Sequence, residues 1–226
     1  MNSGTLYIVA TPIGNLKDIT FRAIETLKSV DLIAAEDTRR TKKLLSHYDI
    51  HAPLTSYFEH NQRIKADYII GQLNAGKSVA LVSDAGTPGI SDPGFVVINR
   101  AITAGVKIEA IPGACALITA LVLSGLPTDR FIFEGFLPAK SAARRRRLKE
   151  LADEERTIIL YESPHRAIKT LKDIADILPG ARVACVREAT KMFEEVLRAK
   201  PAETAAHFEK TPPKGEFVIV VSQKGV

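Results

Sequence analysis

The chain has 226 residues and a mass of 24.6 kDa, which is enough for one large domain or two small ones. Apolar residues make up 46% and charged residues 25%, a composition typical of globular proteins that excludes disorder as the main state. Lysine and arginine number 31 against 26 acidic residues, so the net charge is +5. This charge permits a polyanionic partner but does not require one.

The sequence argues against a disulfide framework, a metal site and a membrane anchor. Cys115 and Cys185 are too few for a framework or a four-ligand zinc site, and both lie in apolar runs typical of buried thiols. The five histidines show no metal-ligand spacing. The first residues do not resemble a signal peptide, and the longest apolar stretch, 114–123, is shorter than the ~20 residues that cross a bilayer. We therefore expect a cytoplasmic protein with no metal and no membrane contact.

Short apolar runs alternate with helical patterns through the first half of the chain. The predicted strands are 6–10, 32–35, 79–82 and 108–111, and the predicted helices are 21–29, 38–46, 61–74, 95–103 and 114–124. Strands that are apolar throughout and alternate with helices indicate a parallel sheet covered on both faces. We therefore predict an N-terminal α/β domain with a mostly parallel sheet over residues 1–125, which ends at the turn 125–128.

The second half contains more predicted strands than helices. The predicted strands are 131–136, 157–161, 182–187, 195–199 and 216–222, and the predicted helices are 141–153 and 165–178. This excess of strands over crossover helices favours a mixed sheet. We therefore predict a C-terminal α/β domain over residues 126–226. The sequence shows no internal repeat and no low-complexity linker.

The strongest functional signal is the loop 83–94, Ser-Asp-Ala-Gly-Thr-Pro-Gly-Ile-Ser-Asp-Pro-Gly, between a predicted strand and a predicted helix. Its three glycines allow the backbone to approach a ligand closely, and its two prolines stiffen it. A purely structural turn rarely needs this density of special residues. Asp92 has an alternative role, because an Asp before Pro and Gly also begins helices. We interpret the segment as a loop whose backbone groups recognise a polar ligand.

Two further loops follow predicted strands, at 10–16 and 111–114. The first is as typical of a tight turn as of a ligand loop, and neither contains the glycine spacing of a dinucleotide cradle or a P-loop. The carboxyl ends of parallel strands meet at one edge of a sheet, which is where such sheets bind ligands. We therefore expect these loops and 83–94 to lie together.

Two charged motifs also follow predicted strands. In 36–40, Asp37 or Thr38 caps the next helix, and the two following arginines either solvate a helix face or bind a ligand. In 162–166, a histidine and an arginine stand at a helix start, where positive charge opposes the helix dipole. That cost to stability indicates a function for the second motif.

A run of four arginines, 144–147, lies on a predicted helix flanked by Lys140 and Lys149. Such runs are usually solvated faces. No acidic residue follows until Glu150, so the repulsion within the run is uncompensated locally. This pattern favours contact with a phosphate backbone.

Seven segments, taken together and in order, resemble those of one family. The segments are 10–16, 35–39, 83–94, 111–114, 161–166, 187–191 and 215–221. Over essentially its whole length the chain resembles the ribosomal RNA small subunit methyltransferase I family of the tetrapyrrole methylase superfamily. The resemblance implies two α/β domains with a cofactor cleft between them, S-adenosylmethionine as cofactor and a homodimer. It further implies 2′-O-methylation of a cytidine in the 16S rRNA of the 30S subunit.

The resemblance and the motifs together give three sets of expected site residues. The cofactor-binding set is Pro12, Gly14, Ser83, Asp84, Ala85, Gly86, Thr87, Pro88, Ser91, Asp92, Pro112, Gly113 and Ala114. The RNA-binding set is Arg39, Arg40, Arg144, Arg145, Arg146, Arg147, His165 and Arg166. A ribose hydroxyl is a weak nucleophile that gains from a general base. The candidates for that base are Glu36, Asp37 and Glu188, or Lys191 if desolvation lowers its pKa, and the sequence does not choose among them.

Two other functions stay open at this point. The same fold could methylate a small molecule such as a tetrapyrrole, or a protein side chain, and neither substrate needs the arginine run. A non-enzymatic RNA-binding module is the second alternative, against which the intact loops argue. Aromatic residues make up only 6% of the chain and tryptophan is absent, so RNA recognition should depend on charge, shape and 2′-hydroxyl contacts more than on base stacking. Family members often continue beyond the 215–221 motif, and if that region contacts RNA, binding here should depend more on 144–147.

Overall fold

The computed structural model describes residues 4–223, which divide into two compact units. The first unit is Met1–Cys115 and the second is Ala116–Val226. Each unit contains one five-stranded sheet with helices packed on it. Within the described residues, none of the helices combines the length and the apolar character needed to cross a bilayer.

The first unit is built on a sheet in which every neighbouring pair of strands is parallel. Its strands are β1 (Thr5–Val9), β2 (Leu32–Ala35), β3 (Leu54–Ser56), β4 (Val79–Val82) and β5 (Lys107–Ile111). Its helices are α1 (Phe21–Ser29), α2 (Thr38–His47), α3 (Gln62–Asn74) and α4 (Phe95–Thr103), with a 3₁₀ turn at Leu16–Asp18. The strand order is β3-β2-β4-β1-β5. The predicted parallel sheet is confirmed.

The apolar strands of the first unit are buried on both faces of the sheet. In β1, Leu6 and Ile8 join a cluster with side chains from α3 and α4, whereas Val9 joins a cluster with side chains from α1 and α2. Successive side chains of a strand point to opposite faces, so an uninterrupted apolar strand needs helices on both sides. This requirement fixes the three-layer arrangement of the unit.

The second unit has a mixed sheet, as predicted. Its strands are β6 (Phe131–Phe136), β7 (Thr157–Glu162), β8 (Arg182–Arg187), β9 (Glu195–Ala199) and β10 (Phe217–Ser222). Its helices are α5 (Ala116–Ser124), α6 (Ser141–Glu150), α7 (Pro164–Ile177) and α8 (Pro201–Lys210). The strand order is β6-β7-β10-β8-β9, with β6 and β7 parallel and the other neighbours antiparallel.

Three features of the fold differ from the sequence-based expectation. The predicted domain boundary after residue 125 assigns α5 to the first unit, whereas in the structure α5 packs on β8 and β10 and belongs to the second. Strand β3 was not predicted because it has only three residues. Helix α8 was not predicted, although Pro201 in its first turn and Glu203 three residues after the cap are ordinary signals of a helix start.

Helix α6 carries the arginine run, and most of its charge is neutralised within the second unit. Arg144 is only 3% exposed, and its Nε donates to Asp173 Oδ2 at 2.7 Å. Arg145 Nη1 donates to Asp173 Oδ1 at 2.7 Å and to Asp176 Oδ2 at 2.8 Å. Arg147 pairs with Glu134 at 2.8 Å. The charge that the sequence leaves uncompensated locally is therefore largely paired in the fold, which brings acids that are distant in sequence against the helix.

Substitutions on α7 should separate the buried ion pair from the exposed one. Asp173→Asn leaves the buried guanidinium of Arg144 without a counter-charge, and we expect it to lower the free energy of unfolding by about 3 kcal/mol. Asp176→Asn removes only a 61% exposed carboxylate and should cost less than about 1 kcal/mol. Urea denaturation of both variants measures the difference, and equal losses would contradict the assigned roles.

Candidate active site

The loops that follow β1, β4 and β5 are joined at one edge of the first sheet. Thr11 and Gly86 exchange two backbone hydrogen bonds, at 2.9 and 3.0 Å. The Thr11 hydroxyl donates to the carbonyl of Ser83 at 3.2 Å, and the Thr87 hydroxyl donates to the carbonyl of Ala114 at 3.4 Å. The expected convergence of the loops 10–16, 83–94 and 111–114 is therefore confirmed. All of the expected cofactor-binding residues lie in these three loops.

Two glycines explain why the 83–94 loop needs its unusual composition. Gly86 has a φ of +81°, a conformation that L-residues with a side chain rarely adopt. Gly94 has an extended φ, but a Cβ there would lie 2.8 Å from the Cα of Gly89, so no side chain fits. The loop therefore folds tightly on itself while it contacts its neighbours.

A group of carboxylates ties the loop after β2 to the loop after β4. The N–H of Asp37 donates to Asp84 Oδ1 at 2.9 Å, and the N–H of Asp84 donates to Glu36 Oε2 at 3.3 Å. Arg40 Nη1 lies 3.3 Å from Asp84 Oδ2. This reciprocal bonding fixes both loops relative to each other and holds several negative charges close together. Among residues 4–223, no group of three or more metal-ligating side chains has the arrangement that would hold a metal ion.

Two carboxyl groups of this edge bind protons more tightly than usual. Burial raises the pKa of Asp92 to about 6, and the charge of Glu36 acts in the same direction. Burial also raises the pKa of Glu36, and the charge of Asp84 adds to that rise. The alternative role of Asp92 as a helix cap is not observed, because Gly94 occupies the N-cap position of α4.

Asp37 has the opposite character. It caps α2 by accepting the N–H of Arg39 at 2.8 Å, and the guanidinium of Arg39 pairs with it at 2.7 Å. The hydrogen bonds from the Arg39 side chain hold the pKa of Asp37 well below its usual range. Asp37 is therefore a cap with a firmly ionised carboxylate, which makes it a weak proton acceptor.

The second unit has its own edge of charged side chains, where β7 and β8 end and β10 begins. There Lys191 Nζ donates to Glu188 Oε1 at 2.8 Å and to Glu216 Oε2 at 2.9 Å. Burial works to lower the pKa of Lys191, but the two carboxylates outweigh burial and raise it. Burial likewise works to raise the pKa of Glu188, but the hydrogen bonds from Lys191 and from the N–H of Glu216, together with the charges of Lys191 and Arg187, outweigh burial and lower the pKa. Lys191 therefore keeps its proton at neutral pH and cannot accept another, and the lowered pKa of Glu188 makes its carboxylate a weak base, so neither is suited to act as a general base.

Sequence reasoning missed the roles of Gly215 and Glu216, although both stand in the quoted 215–221 motif. A Cβ at Gly215 would lie 2.3 Å from the carboxyl carbon of Glu188, so this glycine leaves the space that the carboxylate occupies. The N–H of Glu216 then donates to Glu188 Oε1 at 3.0 Å. The signal that could have revealed them was a Gly-Glu pair directly before a buried strand.

Glu162 was also missed as an individual residue, and it organises the turn between β7 and α7. Its carboxylate is 3% exposed and accepts the N–H of Ser163 at 2.8 Å and the hydroxyl of Thr170 at 2.6 Å. Arg166 Nε lies 3.2 Å from Glu162 Oε1 as an ion pair without hydrogen-bond geometry, and Arg166 Nη2 donates to the carbonyl of Leu137 at 2.6 Å. Arg166 therefore fastens two loops together, and its expected role in RNA binding competes with this one.

The expected RNA-binding residues fall into an exposed group and an engaged group. The exposed side chains are Arg39, Arg40, Arg146 and His165. The engaged side chains, which are held by acids of the same unit, are Arg144, Arg145, Arg147 and Arg166. Arg144 is buried and cannot reach a phosphate, so its assignment as an RNA-binding residue is corrected here.

Comparisons with known proteins fit this arrangement of loops. Residues 5–205 match the family described as Tetrapyrrole (Corrin/Porphyrin) Methylases. A relative from Synechocystis named "Ribosomal RNA small subunit methyltransferase I" is 53% identical over 220 residues, which cover 97% of this chain and 79% of the relative. A relative of the same name from Thermotoga maritima is 49% identical over 221 residues, which cover 98% of this chain and 99% of that protein.

Solved structures give the same fold. A uroporphyrin-III C-methyltransferase from Thermus thermophilus, crystallised with S-adenosyl homocysteine, covers 97% of this chain and 98% of its own with a TM-score of 0.66 at 19% identity. The protein is thus a methyltransferase. The chain belongs to the ribosomal RNA small subunit methyltransferase I family within the tetrapyrrole methylases.

Proposed function

We propose that the protein methylates the 2′-hydroxyl of a cytidine in the 16S rRNA of the small ribosomal subunit, as its family resemblance implies. The observation that carries the proposal is the likeness of about half of all positions to ribosomal RNA methyltransferases over nearly the whole chain. The choice of cytidine and of the 2′-oxygen rests on the resemblance of the motifs. The homodimer and the individual site residues are part of the same proposal.

The residues at the edge of the first sheet fit S-adenosylmethionine. Gly86, with its positive φ, and Gly113, where a Cβ would lie 3.0 Å from the Ala10 Cβ, keep side chains out of the space between the loops. We assign the binding of the cofactor to the loops 10–16, 83–94 and 111–114. When bound, the cofactor supplies a methyl group already activated by its sulfonium, so this chain has mainly to position and deprotonate the acceptor.

Asp92 and Glu36 are the carboxyl groups best suited to accept the proton of the ribose hydroxyl. A general base works best when its pKa lies near the working pH, and burial brings the pKa of Asp92 to about 6. Of the three carboxyl groups that the sequence left open, Glu36 is the one whose pKa is raised. We therefore propose that Asp92 or Glu36 accepts the hydroxyl proton.

RNA contacts are proposed for the exposed cationic side chains. Arg146 is exposed on α6 and pairs with no acid among residues 4–223, so its charge is available to phosphate. Arg39 and Arg40 are exposed beside the carboxylates that they pair with, and they can exchange those pairs for phosphate contacts. His165 stands exposed in the first turn of α7.

Association into a homodimer is supported by the surface of the first unit. Helices α3 and α4 pack together, and large apolar side chains on them are exposed: Ile64 by 79%, Phe95 by 75% and Ile102 by 62%. These exposed apolar side chains offer surface that such an association would bury. Sedimentation at micromolar concentration should give a species of twice the 24.6 kDa chain mass, and a single species at that chain mass would contradict the dimer.

Methyl transfer to defined acceptors tests the proposed function. Purified protein with tritiated S-adenosylmethionine should label 30S subunits or 16S rRNA, and one phosphodiester should become resistant to alkali because a 2′-O-methyl group blocks cleavage there. Uroporphyrinogen should stay unlabelled. Labelling of the small molecule alone, or of a base without alkali resistance, would overturn the proposal.

Substitutions at two glycines with a positive φ distinguish an effect on cofactor binding from an effect on folding. Gly86→Ala should weaken the binding of S-adenosylmethionine about 10-fold, because relief of the strain displaces a loop that contacts the cofactor. Gly105→Ala has a similar positive φ and open space around it, but it lies after α4, away from the loops. It should lose comparable stability and keep the wild-type affinity. Calorimetric titration compares the two, and equal affinities would contradict the assignment of the loop.

Asp92→Asn should move stability and activity in opposite directions. Because the folded pKa of Asp92 is raised, the ionised carboxylate destabilises the fold above about pH 6 and not below pH 4. The variant should therefore be more stable by about 1 kcal/mol at pH 7.5, a value reduced for partial solvation, and equal to the wild type near pH 4.

Methyl transfer by the same variant should fall at least about 100-fold at pH 7.5. The wild-type kcat/KM should rise with pH through about 6. Asp176→Asn, an exposed carboxylate on α7, is the matched control for stability and rate. Wild-type activity in Asp92→Asn would exclude Asp92 as the base.

A further inference from the structure

The second unit contains a cavity of about 470 Å³ that none of the motifs accounts for. It lies where β8 begins, β9 ends, α8 begins and α5 ends. Strand β8 begins at the cavity and ends at the edge of the second sheet that holds Glu162 and Glu188. The cavity therefore lies at the opposite edge of that sheet. Its lining includes the buried apolar side chains of Leu126, Ala181 and Val183.

The charged side chains of this cavity are three cations and one carboxylate. The cations are Arg182, Arg198 and Lys200, and the carboxylate is Glu203. Glu203 is committed to the start of α8, where its Oε2 accepts the N–H of Lys200 at 3.4 Å. Within the described part of the chain, none of the three cations forms an ion pair. Like charges held together without counter-charges repel, and a bound anion relieves that repulsion.

One of the three cations is held in place by the protein. Arg198 Nε donates to the carbonyl of Leu123 at 3.0 Å, which fixes its guanidinium at the end of α5. Arg182 and Lys200 are exposed and free to follow a ligand. Gly180 lies on the wall, and a Cβ built there would meet no atom within 4 Å, so the wall is open at this point.

A comparison of the cations of the cavity with the arginines of α6 indicates the kind of ligand that the cavity binds. The arginine run looks like a polyanion site in the sequence, but the fold pairs its charges with acids. The cavity is lined by cations from separate segments, and these cations have no acidic partners among the described residues. An open wall and an apolar lining between unpaired cations suit a phosphodiester chain, whose charges are regularly spaced and whose sugars are partly apolar.

We propose that this cavity binds backbone phosphates of the RNA substrate at a distance from the nucleotide that reacts. The inference rests on the proposed function for the kind of polyanion. Arg182 and Arg187 stand at the two ends of β8 and are five residues apart. At about 3.3 Å per residue, roughly 17 Å separate these two ends. A ligand that contacts both edges must span this distance, which a polynucleotide does and a single nucleoside does not.

The salt dependence of RNA binding tests the proposal. The double variant Arg182→Gln, Lys200→Gln removes two exposed cations and should lower the slope of log affinity against log salt by about 1.5 for a 16S rRNA fragment. The matched control is Lys28→Gln, Lys169→Gln, which removes two exposed cations on α1 and α7 that have no ion pair among the described residues. The control should keep a slope within about 0.3 of the wild type.

The outcomes separate this inference from the proposed function. A reduced slope in the cavity variant with unchanged S-adenosylmethionine affinity supports the cavity, even if the wild-type protein fails to methylate the RNA. An equal loss in the cavity variant and the control overturns it, as does an unchanged slope in both. Calorimetry with inorganic phosphate is the last arm. Tight binding of phosphate by the wild type, with no change in the RNA slope of the cavity variant, assigns the cavity to a small anion and overturns the inference.

Discussion

The two backbone hydrogen bonds between Thr11 and Gly86 are the constraint on which the edge of the first sheet depends. They join the loops after β1 and β4 through main-chain atoms, and the Thr11 hydroxyl adds a further bond to the carbonyl of Ser83 at the same junction. The glycine must adopt a positive φ to make them, and that requirement dictates the residue type at position 86. The carboxylates of the neighbouring loops are then brought close enough to shift each other's pKa values.

The cationic side chains of this protein divide into those held by carboxylates and those left exposed at the surface. On α6 three of the four arginines, Arg144, Arg145 and Arg147, are held by acids of α7 and β6. At the edge where β8 ends, Lys191 is held between two carboxylates and its charge is permanent. The cationic side chains that remain available to a partner lie at the surface and have few acidic neighbours. Local charge density in the sequence is therefore a poor guide to where a polyanion binds, because neutralisation is decided by tertiary contacts.

Most of the fold could be predicted from the sequence because hydrophobic periodicity is a local property. The strand 131–136 and the helices 21–29 and 95–103 have the predicted bounds, since each has an apolar pattern and a clear start or stop. The candidate site was predictable as a set of loops, for the carboxyl ends of parallel strands must share an edge. The proton affinities of Glu36 and Asp92, the pairing of Lys191 with Glu216 and the burial of Arg144 depend on residues far away in sequence. No local pattern encodes them.

The pairing of α6 with α7 also sets an order in folding. A peptide with the sequence of α6 has four consecutive cations and no acid before Glu150, so as an isolated segment it repels itself and forms little helix. Its partners, Asp173 and Asp176, lie on α7, which has an amphipathic pattern and a proline in its first turn and therefore forms more readily. Helix α6 thus becomes stable only on the surface of a formed α7. Opening of α7 should therefore release α6 as well, whereas α6 can open on a formed α7, so the backbone amides of α6 should exchange with solvent at least as fast as those of α7.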